Sequence, residues 1–92
     1  MPARMTAQYD YDGMGVNDYV AQRIRRARLS ADMSQGYVGT RLVPPRSHAA
    51  VSDIERGKTT ITVDLLMCFA VLFDKPLTWF LPGGSDIAPD PS

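Results

Sequence analysis

The sequence predicts an all-α domain, and three observations carry that prediction. Apolar residues recur at helical spacing through Val20, Ile24, Ala27 and Ala31. Two segments that open on serine, Ser34 and Ser47, flank a rigid Pro44-Pro45 pair. An unbroken apolar run from Leu65 to Phe73 follows a start at Thr62 and Asp64 that suits a helix N-terminus.

Composition narrows the class. A chain of 92 residues, 45% apolar and 22% charged, suits one domain with a modest core and argues against wholesale disorder. The one cysteine, Cys68, cannot form an internal bridge, which favours a reducing compartment. No apolar run reaches the length of a membrane span, and the N-terminus lacks a signal peptide's apolar core. The expectation is a cytoplasmic protein with no membrane partner. Net charge is zero, but its distribution is uneven: residues 19–60 carry +5, residues 1–18 carry −2 and residues 61–92 carry −3. A basic middle between acidic ends can present an electrostatic footprint that the total conceals.

Taken in order, residues 1–16 have no helical period and contain Gly13 and Gly15, so they read as a flexible N-terminal arm. The Tyr9-Asp10-Tyr11-Asp12-Gly13 stretch has too few ligands after it for a calcium loop. Asn17 or Asp18 caps a first helix, whose arginines fall mainly off the apolar stripe. Asp32 stands at its end, where a left-handed residue is wanted and aspartate is tolerated. Ser34 then caps a second helix with Val38 and Leu42 on one face, and Met33 before it packs as a hydrophobic staple. Pro44 and Pro45 end that helix. Ser47 opens a third helix, about residues 47–56, with Ala50, Val51 and Ile54 on its inner face and Gly57 as its stop. Two short helices around a turn make a helix-turn-helix candidate.

The remainder follows the same rules. Lys58, Thr59 and Thr60 fall in the loop after the third helix. The fourth helix is apolar all round and needs cover all round. Val63, Leu66, Ala70 and Phe73 are expected to face the first three helices. Leu65, Cys68, Phe69 and Leu72 then need a second cover, from a fifth helix or another subunit. That short fifth helix, Leu77 to Leu81, carries Trp79 and Phe80, and such an aromatic end either plugs its own core or forms a dimer seam. Pro82-Gly83-Gly84 stops regular structure, and 83–92 reads as a flexible C-terminal tail. His48 is the one histidine and there is no paired cysteine, so no metal site and no cofactor is expected. No acid/base pair, nucleophile constellation or phosphate loop points to an enzyme.

Several motifs together carry a resemblance: Ser34-Gln35, Val38-Gly39-Thr40-Arg41-Leu42, and Val51-Ser52-Asp53-Ile54-Glu55-Arg56-Gly57. They resemble the Xre/Cro-type helix-turn-helix family, which typically reads Ser-Gln-x-x-Leu-Ala-x-x-Leu and then Ile-Ser-x-Ile-Glu-Arg-Gly. Residues 23–28, 62–73 and 77–81 are similar to the family's first, fourth and fifth helices. The resemblance implies a five-helix Cro/repressor-like helix-turn-helix domain over residues 17–82. Val43-Pro44-Pro45-Arg46 replaces the shorter, glycine-containing turn of the family. The family's base-reading positions fall here on His48, Ala49, Ala50, Ser52 and Asp53. The resemblance also implies that Gln35 bonds a phosphate or braces the third helix. It further implies that Glu55 buttresses the first helix, through Arg23 or Arg26.

The function this implies is a sequence-specific DNA-binding transcriptional regulator, a repressor or an activator, acting as a homodimer on a palindromic operator in double-stranded DNA. Its expected DNA contacts are Gln35, Arg41, Arg46, Ser47, His48, Ala49, Ala50, Ser52, Asp53, Arg56, Lys58 and Thr59. Arg41 and Arg46 flank the turn, where a guanidinium can grip a phosphate bidentately. Its expected dimer interface is Leu65, Phe69, Leu72, Trp79 and Phe80. The alternative is a helix-turn-helix-fold module that binds a protein partner, antitoxin-like or polymerase-binding, with little direct base readout. Alanine at the reading positions offers only a methyl, suited to thymine, and Asp53 either repels phosphate or accepts from a cytosine amine.

Overall fold

The computed structural model describes residues 10, 11 and 13–83. Within them the chain runs β1 (Asp10–Tyr11), β2 (Met14–Gly15), α1 (Val16–Ser30), α2 (Gln35–Arg41), α3 (His48–Glu55) and α4 (Val63–Leu72), then a 3-10 turn at Leu77–Phe80. The remainder of the expected arm and tail, 1–9, 12 and 84–92, lies outside the described residues.

Three helices begin as their sequences dictate. Ser34 Oγ accepts from the Tyr37 N–H at 3.0 Å, Ser47 Oγ from the Ala50 N–H at 3.1 Å and Thr62 Oγ1 from the Leu65 N–H at 3.1 Å. α1 is the exception. It starts at Val16 behind Gly15, with no side-chain cap, so neither Asn17 nor Asp18 serves as one. The physical reason is the element before it: β1 and β2 pair antiparallel, Asp10 with Gly15 and Tyr11 with Met14, and the helix continues directly from β2. The register leaves a two-residue connection whose sequence is Asp-Gly, the dipeptide such hairpins favour. This hairpin packs on α1, where sequence periodicity had offered only an aperiodic arm.

α1, α3 and α4 end alike. Asp32 (φ 58°), Gly57 (φ 77°) and Asp74 (φ 54°) take left-handed conformations. The residue after each donates back five positions: Met33 to Arg28, Lys58 to Asp53 and Lys75 to Ala70, at 3.2, 2.9 and 3.0 Å. The expected fifth helix is corrected to a single 3-10 turn. Five residues between Pro76 and Pro82 are too few for α-helical bonding to propagate, and three-residue spacing closes the turn instead. The described fold is therefore four α-helices, with the hairpin at the head of α1.

One core joins them. Val20, Ile24 and Ala27 of α1 meet Val38 and Leu42, Val51 and Ile54, then Leu65, Leu66, Phe69, Ala70, Phe73 and Phe80. The Pro-Pro connection folds back on α2: the Arg46 N–H donates to the Gly39 carbonyl at 2.9 Å. The Arg46 carbonyl stands where a Cβ on residue 39 would sit, so only glycine fits beneath the longer turn. Val43–Pro44 is a cis peptide.

Candidate functional site

α3 divides cleanly by face. Val51, Ile54 and Glu55 are buried, whereas His48, Ala49 and Arg56 are exposed and Ala50, Ser52 and Asp53 lie between. Spacings of one, four, five and eight residues from His48 put Ala49, Ser52, Asp53 and Arg56 on one outward stripe. Ser47 is spent on the cap at its head, and its hydroxyl oxygen is already accepting.

What holds this stripe outward is a polar clamp beneath it. Glu55 receives two bonds from Arg28, Nε to Oε2 at 2.6 Å and NH2 to Oε1 at 3.0 Å. The third guanidinium nitrogen donates to the Met33 carbonyl at 2.9 Å, and Gln35 Nε2 donates to Glu55 Oε1 at 3.1 Å. One carboxylate thus joins the end of α1, the start of α2 and the end of α3. The expected partner of Glu55, Arg23 or Arg26, is corrected to Arg28. Arg23 is turned the other way: its Nε donates to the Trp79 carbonyl at 2.9 Å, and its guanidinium lies 3.8 Å from the Trp79 ring centroid. Arg26 is exposed. Gln35 is found bracing α3 through Glu55.

The cations divide too. Arg56 extends along the outward stripe and meets Asp53 Oδ1 at 3.0 Å, an exposed pair one turn apart. Lys58 is exposed just beyond it. Arg46 is half-buried, and its Nε is buried with no hydrogen-bond partner among the described residues. Arg41 is not gathered with these. It lines a groove of ≈ 510 Å³ between the turn and α4, with Val43, Met67, Cys68, Val71 and Leu72. Its guanidinium lies 5.9 Å from the Tyr37 ring.

Thr59 is half-buried, and its carbonyl accepts from Asn17 Nδ2 at 3.0 Å, while Asn17 Oδ1 accepts from the Ile61 N–H at 2.8 Å. Sequence reasoning missed Asn17 in this role because a bond across 42 residues leaves no local signal. Arg28 had one. It lies four residues after buried Ile24, at the edge of the α1 stripe, as Arg23 lies three after Val20.

Burial corrects three of the five expected dimer residues. Leu65 is 6% exposed and Phe69 and Phe80 are 0% exposed, so the chain's own core uses them and they offer no side-chain surface to a second subunit. Leu72 and Trp79 are half-buried, Trp79 packed edge-to-face on Phe80 and covered by Arg23 and Lys75. α4 instead turns Val63 (71% exposed), Met67 (45%) and Val71 (77%) outward, and Val63, expected inside, is outside.

Among the described residues no group of three or more His, Cys, Asp or Glu is placed to hold a metal ion. No helix there is long and apolar enough to cross a membrane. Compared with known families, residues 24–80 match the model described as helix-turn-helix, which is more than half of the chain. No curated protein and no solved structure matches.

Proposed function

The chain belongs to the Xre/Cro-type helix-turn-helix family, and on that premise we propose that it is a DNA-binding transcriptional regulator whose α3 enters the major groove. The observation that carries this reading is the division of α3: a stripe from His48 to Arg56 faces out while the opposite face is buried and clamped through Glu55. Arg56 closes that stripe, Lys58 follows it and Arg46 precedes the cap of α3, and the three supply phosphate contacts, which give most of the affinity of such proteins. Direct readout rests on few groups: His48, the methyls of Ala49 and Ala50, Ser52 and Asp53. DNA shape therefore carries a large share of the specificity.

We further propose a homodimer on a palindromic operator. The ridge of Val63, Met67 and Val71 suits a second copy. A chain of zero net charge does not repel its copy. A gel-shift series on the gene's own upstream DNA, run against salt, tests the function. Binding that weakens steeply with salt and disappears in a folded Ala49→Glu variant supports it. Salt-independent binding to a protein, with none to DNA, favours the rival reading as a protein-interaction module. The Asp53–Arg56 pair, which neutralises the middle of the reading face, is the observation on that side.

A further inference from the structure

We propose that Asn17 is a positioning residue for DNA-backbone binding: its side-chain amide sets the main chain of the loop between α3 and α4, and so aims Lys58. This rests on the DNA-binding reading above. The loop from Gly57 to Ile61 has no regular structure, so its peptide groups need partners from elsewhere. Its first two N–H groups are satisfied by the end of α3, Gly57 to the Ile54 carbonyl at 3.1 Å and Lys58 to the Asp53 carbonyl at 2.9 Å. Further along, one side chain does what a neighbouring strand would do. Asn17 donates to the Thr59 carbonyl and accepts from the Ile61 N–H, at 3.0 and 2.8 Å. A primary amide suits this task because it offers a donor and an acceptor side by side, as a peptide does.

The next residue comes close to the start of the loop. The Asp18 carboxylate lies where a Cβ on residue 57 would project, so the first turn of α1 meets the loop at its start and near its end. The bonds to the end of α3 hold the loop at its start and Asn17 holds it near its end, and Lys58 and Thr60 are exposed. Lys58 follows Arg56 directly past the left-handed Gly57, which puts the loop at the end of the outward stripe. Held at both ends, the loop need not be ordered when it meets a phosphate, and preorganisation of that kind raises affinity. It also explains why Asn17 is not used as a helix cap: both functional atoms of its amide are engaged 42 and 44 residues away.

The test compares wild type, Asn17→Ala, Lys58→Ala and the double variant on the same upstream DNA fragment across a salt series. Amide hydrogen exchange is measured on the free proteins. Asn17→Ala should stay helical, with the Ile61 amide exchanging at least about tenfold faster. The slope of log K against log salt should flatten by about 0.9, as for Lys58→Ala, and the double variant should be no flatter than either single one. A smaller active fraction shifts such a line without changing its slope, so mere destabilisation does not mimic the effect. Should Asn17→Ala not fold, Asn17→Ser adds no charge and is too short to span the Thr59 carbonyl and the Ile61 N–H, with the same slope expected. An unchanged slope beside a salt-dependent wild type overturns the inference alone, as do additive slopes in the double variant. A wild type whose binding ignores salt overturns the DNA-binding reading and the inference with it.

Discussion

α3 carries two arginine–carboxylate pairs, two residues apart, and they have little in common but their chemistry. Glu55 meets Arg28 from another helix with two bonds, and their side chains are 1% and 10% exposed. Asp53 meets Arg56 one turn along the same helix with one bond, and those side chains are 46% and 59% exposed. The first pair is architecture. Removed from water and joined by Gln35 and the Met33 carbonyl, it sets how three helices meet. The second is a surface pair that water and salt compete for, so it does little for the fold and much for the charge that α3 shows outward. Proximity in sequence thus says little about weight; burial decides it.

The largest effect should come from breaking the buried pair. Glu55→Ala leaves the Arg28 guanidinium without its carboxylate, and loss of one partner from such a pair costs about 3–5 kcal/mol. Urea unfolding should show the loss as a lower midpoint at similar slope; a midpoint within error of wild type would put the two pairs in one class. Replacing both partners, Glu55→Met with Arg28→Met, should recover most of the stability, because the buried charges go together. Gln35→Ala should come next, at about 1 kcal/mol, since it removes one bond and leaves Glu55 still held by Arg28. The same urea measurement ranks it, and a loss as large as that of Glu55→Ala would make Gln35 a principal support of α3.

The sequence disclosed these features unequally, for physical reasons. The caps at Ser34, Ser47 and Thr62 and the stop at Gly57 are local, each decided within a few residues, and they stand where expected. Pairings across the fold were harder. The resemblance implied that Glu55 leans on α1, but its partner is Arg28, because a side chain at the stripe's edge reaches across a helix and Arg26 on the outer face does not. α4 was the least legible. Nine consecutive apolar positions from Leu65 to Phe73 carry no angular signal, so nothing local separates buried Leu65 and Phe69 from exposed Met67 and Val71. The hairpin was missed although Asp-Gly announces its turn, because two-residue strands are too short to alternate. At the outward stripe of α3, residue identities were legible, but the engagement of Arg56 with Asp53 and the turning of Arg41 towards α4 were not.

The smallest stability effect, and the sharpest test of the comparison, comes from the exposed pair. Asp53→Asn removes one partner of an ion pair one turn apart, a contact worth about 0.3–0.5 kcal/mol in helices. The urea midpoint should therefore barely move. DNA binding should move more. With the carboxylate gone the outward stripe gains one unit of positive charge, and Arg56 no longer divides its guanidinium between Asp53 and a phosphate. Binding should tighten at low salt, and log K against log salt should steepen by up to about 0.9 if Arg56 then neutralises one more phosphate. Arg56→Ala in the Asp53→Asn background should abolish that steepening, which ties the gain to the freed guanidinium. If Asp53→Asn instead loses affinity on one DNA sequence while weak binding elsewhere is unchanged, Asp53 accepts a hydrogen bond from a base amine. The exposed pair would then divide its labour, with Arg56 holding ready a carboxylate that reads sequence.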